Sequence, residues 1–483
     1  MRMARAALLL AAGSALAAPP AAADTLKEAL AEAYATNPTL AAQRAQLEGT
    51  DANVALERAN GRPTANGSAL YSEFIKPQGN SVTAPERQFG ANISLSVPIY
   101  AGGSVENSIR ASKQRVEAGR ADLRGTESAI FNQVVAAYMD VIQNEAIVEL
   151  SRGNVDVLTI NLEATRDRFE IGDLTITDVA QSQARLSVGT SDLRTSRANL
   201  ISARENYIQL VGSAPDDLQP PPPLPGLPAS PDQAVEIALE HNPDLIAARE
   251  RLQAAGFDIE VANASRLPRV EGFLESGYSN FLGSLTSDTP GFALSQAQTN
   301  ATVGVRASVP LYQGGRPVAL ERRAQAASSA ALEQAVATER SVIAQVRSAY
   351  ASWQASLAII DSTLTGLDAA TLALEGVRAG NSVGNRTILD ILDAQQELLR
   401  VQVQLVTARR NAYVAGFSLL AAMGRAEARD LGLDEIGPLY DPVANYDRVE
   451  GEWWDWVRDP DPVAESTRTV DTLPQNGTIP SDR

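Results

Sequence analysis

Two short stretches of the chain alternate apolar and polar residues. In residues 91–97, Ala-Asn-Ile-Ser-Leu-Ser-Val, every second side chain is apolar, and residues 303–309, Val-Gly-Val-Arg-Ala-Ser-Val, repeat the pattern. A period of two puts alternate side chains on opposite faces, so each stretch predicts a strand with one apolar face. Each strand runs into the same junction. Val97-Pro-Ile-Tyr-Ala-Gly-Gly103 returns as Val309-Pro-Leu-Tyr-Gln-Gly-Gly315, 212 positions later. Beyond each copy the glycines and proline give way to a long run rich in Ala, Gln, Glu and Arg, which is helix composition. Pro98, Tyr100, Gly102 and Gly103, with their twins Pro310, Tyr312, Gly314 and Gly315, therefore mark a strand-to-helix junction that the chain contains twice.

The helical runs have a period of seven. Ile109, Val116, Leu123 and Ile130, then Val134, Val141, Val148, Val155 and Leu162, lie along residues 104–168. The second copy keeps the latter register at Val346, Trp353, Ile360, Leu367 and Leu374. A strict heptad predicts left-handed supercoiling against neighbouring helices. Turns at Gly172 and Gly384 lead into further helices, where Leu186, Leu193 and Leu200 are matched by Leu398 and Leu405. Upstream, each copy has a short helix broken at Asn37-Pro38 or Asn242-Pro243, then a second helix ending near Pro63 or Pro268. An extended segment (64–76 or 269–281) and a Gly/Ser/Thr/Pro-rich loop complete a β-hairpin with the alternating strand. The two shorter helices together match the long one in length, so they are expected to stack end to end beside it.

These patterns divide the chain into residues 1–23, read as a signal peptide; 24–213, a first repeat; 214–230, a Pro-rich linker; 231–424, a second repeat; and 425–483, an acidic tail. The first segment carries Arg2 and Arg5, an apolar run, and small residues before Asp24, so the protein is expected to be exported. No later run reaches the roughly 18 apolar residues of a membrane-crossing helix, so a membrane crossing would need a closed β-barrel. The linker reads as stiff polyproline without packed structure. In the tail, Tyr440, Tyr446, Trp453, Trp454 and Trp456 are expected to dock its early part on an outer wall, with disorder from Asp459 onward.

Composition narrows the function. The 483 residues are 44% hydrophobic but 5% aromatic, which favours thin, closely packed helices over a bulky core. A net charge of -17 argues against a nucleic-acid partner. There is no cysteine, hence no disulfide, thiolate metal site or lipid-attachment cysteine. The one histidine, His241, precedes Asn242-Pro243 and reads as a polar residue at a helix end. No metal cluster, phosphate loop or nucleophile–His constellation is found, so no enzyme, cofactor or resident metal is expected.

Four strands of membrane-crossing length are too few for a single-chain barrel, and two open edges are not tolerated in hydrocarbon. The barrel is therefore expected to be shared between chains, three copies giving twelve strands. A periplasmic coiled-coil adaptor or scaffold of an export system is the alternative, although it would not need paired membrane-length hairpins.

The doubled order of helix, hairpin, VP[IL]Y-x-GG junction, long helix, glycine turn and helix resembles the TolC family of outer-membrane channel proteins. The resemblance covers residues 25–424 and includes the motif Ser382-Val-Gly-Asn-Arg-Thr-Ile-Leu-Asp-Ile-Leu-Asp-Ala394. It implies a mixed, mostly α fold: a homotrimer with a twelve-stranded outer-membrane barrel in lipid, continued by a long periplasmic α-helical barrel. It also implies a periplasmic adaptor and an inner-membrane ABC or proton-driven pump, for type I protein secretion or efflux. The missing cysteine sets the chain apart from the lipid-anchored drug-efflux branch.

Asp390 and Asp393 lie one turn apart early in the helix after Gly384. Thr387 to Asp390 has capping-box spacing, as does Thr175 to Asp178. The resemblance makes Asp390 and Asp393 the channel constriction, whose clustered carboxylates would select for cations and bind one. It further implies that Arg386 reaches Thr177 and Asp178 and holds the tip shut. A tyrosine the family often places five residues before that arginine is Asn381 here, so a lock using its phenol is absent or remade. Tyr100 and Tyr312 fit an aromatic girdle at the membrane interface and packing beneath the barrel equally well.

Overall fold

A computed structural model describes residues 25–75, 85–285 and 294–479. The expected signal peptide and part of each hairpin loop lie outside the described residues. The first repeat comprises α1 (Leu26–Thr36), α2 (Pro38–Ala59), β1 (Thr64–Glu73), β2 (Arg87–Tyr100), α3 (Ser104–Glu170) and α4 (Ile176–Val211). The second comprises α5 (Pro231–His241), α6 (Pro243–Asn263), β3 (Arg269–Asn280), β4 (Ala297–Ser308), α7 (Arg316–Ser382) and α8 (Ile388–Ala422). A short α9 (Ala444–Glu450) lies in the tail.

The Asn-Pro breaks join helices end to end. Asn37 caps α2 through the Thr39 amide, and its own amide group donates to the carbonyl of Leu210 at the end of α4 (3.0 Å). Asn242 caps α6 through Leu245 and donates to Ala422 at the end of α8 (2.9 Å). In each case one side chain satisfies an orphan donor of one helix and an orphan acceptor of another. Thus α4 and α2 form a column beside α3, and α8 and α6 one beside α7. α3 has 67 residues, about 100 Å at 1.5 Å per residue. The heptad positions Val116, Leu123, Ile130, Val134, Val141, Val148 and Leu162 are buried along it. The core gathers around α3, where Phe131, Val134, Tyr138, Leu200, Tyr207 and Phe417 are closed to solvent.

The four strands form one antiparallel sheet in the order β1-β2-β3-β4, so β1 and β4 are its edges. The register pairs Ile93 with Gly67 and Ser276, and Ser276 with Ala301. Directly paired residues share a face. One face therefore carries Ala69, Tyr71, Ala91, Ile93, Leu95, Val97, Leu274, Val303 and Val305; the other carries Asn66, Ser68, Asn92, Ser94, Glu271, Glu275, Asn300 and Arg306. On the polar face Arg306 bonds Glu271 (3.0 Å), lies 3.6 Å from Glu275 and sits over the Phe273 ring. Phe273 also covers Gly304, where an added Cβ would lie 2.8 Å from the ring.

Three regions depart from expectation. The linker is packed: Leu218 is buried, and the twin tyrosines Tyr138 and Tyr350 donate to the carbonyls of Gln219 (2.7 Å) and Ala229 (3.0 Å). Tyr413 donates to Pro222. Proline lacks an N–H but keeps its carbonyl, so an extended Pro-rich strand remains a row of acceptors. The tail beyond Asp459 also follows the protein as far as residue 479. Arg204 holds the carbonyls of Asn476 and Thr478, and Glu205 accepts from the Gln475 amide. Lastly, α7 contains an 18-residue stretch apolar enough, by length and composition alone, to cross a membrane, and it is 6% buried within the protomer.

Candidate functional site at the helical tips

The far end of the protomer from the sheet is formed by two equivalent turns. Gly172 (φ 82°) and Gly384 (φ 78°) adopt the left-handed conformation that closes α3 and α7, a position glycine fills without strain. The amides of Asp173 and Asn385 then bond back to Arg168 and Gly380 (both 2.9 Å). The paired helices are tied just above each turn by the same contact: Arg166 to Gln183 (2.9 Å) and Arg378 to Gln395 (3.2 Å).

Both predicted capping boxes are present. Thr175 donates its amide (2.9 Å) and hydroxyl (2.7 Å) to Asp178, and Thr387 does the same to Asp390 (2.8 and 2.9 Å). The Thr175 hydroxyl and amide hold the Asp178 carboxyl below the usual carboxylate range. The amide and hydroxyl of Thr387, helped by the Arg386 cation, do so for Asp390. Both acids are therefore ionised at neutral pH, and their caps weaken only as pH falls through the lowered values.

Asp393 has a different partner. Its carboxylate receives a 2.5 Å ion pair from Arg185 on α4, with both side chains partly exposed. Arg185 thus bridges the tip of the first repeat to that of the second. It was not among the residues singled out in the sequence. The signal available was a change of charge between repeats: the twin of Arg185 is Glu397, and the twin of Asp393 is the neutral Gln181.

Arg386 is exposed beside Asp390 and makes no bond to Thr177 or Asp178 within the protomer, whose described residues place Thr177 in solvent and Asp178 in its own cap. Asn381, standing where the family often has tyrosine, donates to the Arg386 carbonyl across the turn (2.7 Å). The side chain at this position therefore pins its own loop.

At the other end, Gly102, Gly103, Gly314 and Gly315 all have positive φ, which explains the double glycine of each junction. A Cβ on Gly102 would lie 2.9 Å from Leu267. Pro98 sits at a bulge in β2, where a missing N–H is tolerated. Tyr100 pairs with Val270 on the apolar side of the sheet and is half exposed, whereas Tyr312 is fully exposed beyond β4. His241 ends α5, its Nε2 3.0 Å from Arg425. Among the described residues no group of three His, Cys, Asp or Glu is placed to hold a metal ion within a protomer.

The family model for the outer membrane efflux protein matches residues 29–213 and 234–425. The chain is 34% identical over 457 residues to the outer membrane efflux protein BepC of Brucella suis, covering 94% of this chain and 97% of that protein. It is 27% identical over 415 residues to the outer membrane protein TolC of Vibrio cholerae, covering 85% and 92%. Its fold matches the crystal structure of the outer membrane protein VceC of Vibrio cholerae with a TM-score of 0.71 at 22% identity, over 83% of this chain and 96% of that one. Duplicated helical columns, a sheet of membrane-crossing length and a match to both repeats agree: the chain belongs to the outer membrane efflux protein family, the TolC-type channels of the outer membrane.

Proposed function

We propose that three copies close a twelve-stranded barrel in the outer membrane and continue it as a helical tunnel, forming the passive exit duct of a type I secretion or efflux system. The observation that carries this is the four-stranded sheet with an apolar face and two unpaired edges, β1 and β4. Such edges cannot face hydrocarbon, and pairing β4 of one copy with β1 of the next removes them. The bare side of α7 supports the same assembly. A periplasmic adaptor or scaffold would have no use for the apolar sheet face.

In this reading the tips meet around the axis. Asp390 and Asp393 form the constriction, and a periplasmic adaptor with an ABC or proton-driven pump docks there. The arginine contact is made between protomers: Arg386, whose side chain makes no hydrogen bond to Thr177 or Asp178 among the described residues of its own chain, reaches those residues of a neighbouring copy and keeps the tip closed. The carboxylate ring admits cations and is blocked by divalent ions. Planar-bilayer recording tests the reading. The protein should give discrete, cation-selective steps, and Asp393→Asn should reduce selectivity and divalent block. Absence of conductance from material inserted as an outer-membrane oligomer would sink the duct, and unchanged selectivity in Asp393→Asn would move the constriction elsewhere.

A further inference from the structure

The chain holds four tryptophans, and three of them, Trp453, Trp454 and Trp456, fall within four residues of the tail. Tyr440 and Tyr446 meet the wall as the sequence suggests, through Tyr34 and Arg120, and Trp453 meets it through Arg62, whereas no contact with the wall is seen for the Trp454 and Trp456 rings among the described residues. The three tryptophans are 66%, 76% and 92% exposed, and Val457 beside them is 55% exposed. Such a cluster of bare aromatic surface is unusual in water and marks a contact.

Its position is defined. α9 climbs along α2 toward the sheet: Asn445 bonds Asp51 (2.9 Å), Glu450 pairs with Arg58, and Arg62 bonds the carbonyl of Glu452. The Arg62 guanidinium then lies 4.4 Å from the centre of the Trp453 ring. Arg62 is two residues before β1 begins at Thr64. Glu57 near the end of α2 and its C-cap Asn60 line a cleft with Pro98, Tyr100 and Arg269 at the base of the sheet. The segment then turns back: Arg448 grips Asp459 with two bonds (2.8 and 3.2 Å), closing an excursion whose far end carries the tryptophans. Glu452 accepts from the amides of Trp453 and Trp454 and shapes that end. Beyond it the chain descends to Arg204 on α4.

We propose that this excursion seats Trp454 and Trp456 in the periplasmic leaflet of the outer membrane, beside the foot of the barrel, with Trp453 stacked on Arg62 beneath them. The assignment rests on the reading of the sheet as membrane-crossing, because the excursion reaches the level at which that sheet begins. Tryptophan suits this depth: its ring prefers the apolar boundary while its N–H bonds headgroups or water. The segment carries Glu450, Glu452, Asp455, Asp459 and Asp461 against Arg458, so attraction to anionic headgroups is not the driving force. The contact is aromatic insertion into a zwitterionic interface.

The test uses the full-length protein with Trp353→Phe, reconstituted in phosphatidylcholine vesicles and checked for channel conductance. Bromines placed near the headgroup end of the acyl chains should quench the remaining emission about twofold, deeper bromines less, and aqueous acrylamide little. Adding Trp454→Phe and Trp456→Phe should remove most of the lipid quenching and leave conductance unchanged. If Trp353→Phe fails to assemble, the difference spectrum between wild type and the Trp454→Phe, Trp456→Phe variant gives the same reading. Quenching by acrylamide but not by brominated lipid would place the tryptophans in water and overturn the proposal. Protection from both quenchers would show that a neighbouring copy or other protein covers them, and would overturn it equally. Loss of conductance from all forms, by contrast, would reject the membrane-crossing reading itself.

Discussion

α3 and α7 are the same helix built twice. Each has 67 residues, begins after a double glycine with positive φ and ends at a glycine turn. Yet α3 has twenty-two buried positions and α7 has three, Val342, Val346 and Leu374. The difference lies in their neighbours. α3 is flanked by α2, α4, α6 and α8, drawn from both repeats, whereas α7 packs on α5, α6 and α8 of its own. A row of apolar residues at multiples of seven, Val336, Leu357 and Leu364, stays exposed along it. Duplication copied the pattern of both helices, and the protomer satisfies one of them. The other leaves its apolar row open in the protomer, and in the proposed trimer that row, like the edges β1 and β4, meets a neighbouring copy.

The largest expected effect separates the two helices directly. Phe131 of α3 is fully buried and packs near Tyr34. Phe131→Ala should cost about 3–5 kcal/mol in the folding of each protomer. Its twin Ile343 is half-buried, so Ile343→Ala should cost clearly less in the same denaturation experiment. Leu357→Arg with Leu364→Arg should leave helix content unchanged by circular dichroism but reduce the oligomer in detergent. Equal protomer destabilisation by Phe131→Ala and Ile343→Ala would erase the distinction drawn between α3 and α7.

The strands come next. Ile93 on an inner strand and Val305 on an edge strand share the apolar face. Arginine at either should cost about 2–4 kcal/mol of assembled barrel, as for a cation at the bilayer midplane. Asn92→Ser on the opposite face should be mild, measured as yield of heat-resistant oligomer. Gly304 is not an equivalent control despite its polar face, because the Phe273 ring occupies the space a side chain would need. If Asn92→Ser proves as damaging as Ile93→Arg, the two faces have been exchanged.

Glu127 and its twin Glu339 extend the comparison to pH. Burial, then the facing Glu427, pushes the Glu127 carboxyl from 4.5 up to about 7, opposed by the Ala428 amide, Arg44 and Arg124. Glu339 is half exposed beside Arg249. An acid whose value is raised by folding binds its proton more tightly in the folded state, so stability is fullest below about 4.5 and declines as pH rises through 7. Glu127→Gln should therefore stabilise the protein by on the order of 1–3 kcal/mol at pH 8 and by little at pH 5. A pH-independent Glu127→Gln effect would rule out this titration.

The smallest effects belong to the tips. Arg185→Ala frees the Asp393 charge that it now offsets, so cation selectivity should rise modestly in bilayer recordings. Arg386→Ser should raise conductance with little loss of selectivity, since it releases the proposed contact with Thr177 and Asp178 of a neighbouring copy and leaves both ring carboxylates, Asp390 and Asp393, in place. A drop in selectivity on Arg185→Ala would mean that the pair holds Asp393 in place instead of masking it.

What was legible in the sequence is what repeats over short distances. Residues 91–97 and 303–309 announced strands because their period is local, and the Thr175 and Thr387 boxes announced helix starts within four residues. The heptads located α3 but could not show that α7 would be left bare, because burial depends on which helices surround it. The linker misled for a related reason: Pro220 to Pro223 cannot donate, yet from distant helices Tyr413 reaches the Pro222 carbonyl, and Tyr138 and Tyr350 reach those of Gln219 and Ala229 on either side. At the tip, Asp390 was readable from its cap, whereas the partner of Asp393 lies 208 positions away on Arg185. No local pattern joins those two.

The central claim is that β1 and β4 are halves of one seam between copies. The chain has no cysteine, so introduced pairs report without background. Cysteines at Asn66, Ser68 or Ser72 of β1, each combined with Asn300→Cys of β4, all lie on the polar face of the sheet. In outer membranes under oxidising conditions, at least one pair should give a ladder of monomer, dimer and trimer on denaturing gels, ending at the trimer and collapsing on reduction. A conducting channel in which no β1–β4 pair cross-links, or a ladder that ends at another number, would contradict the account.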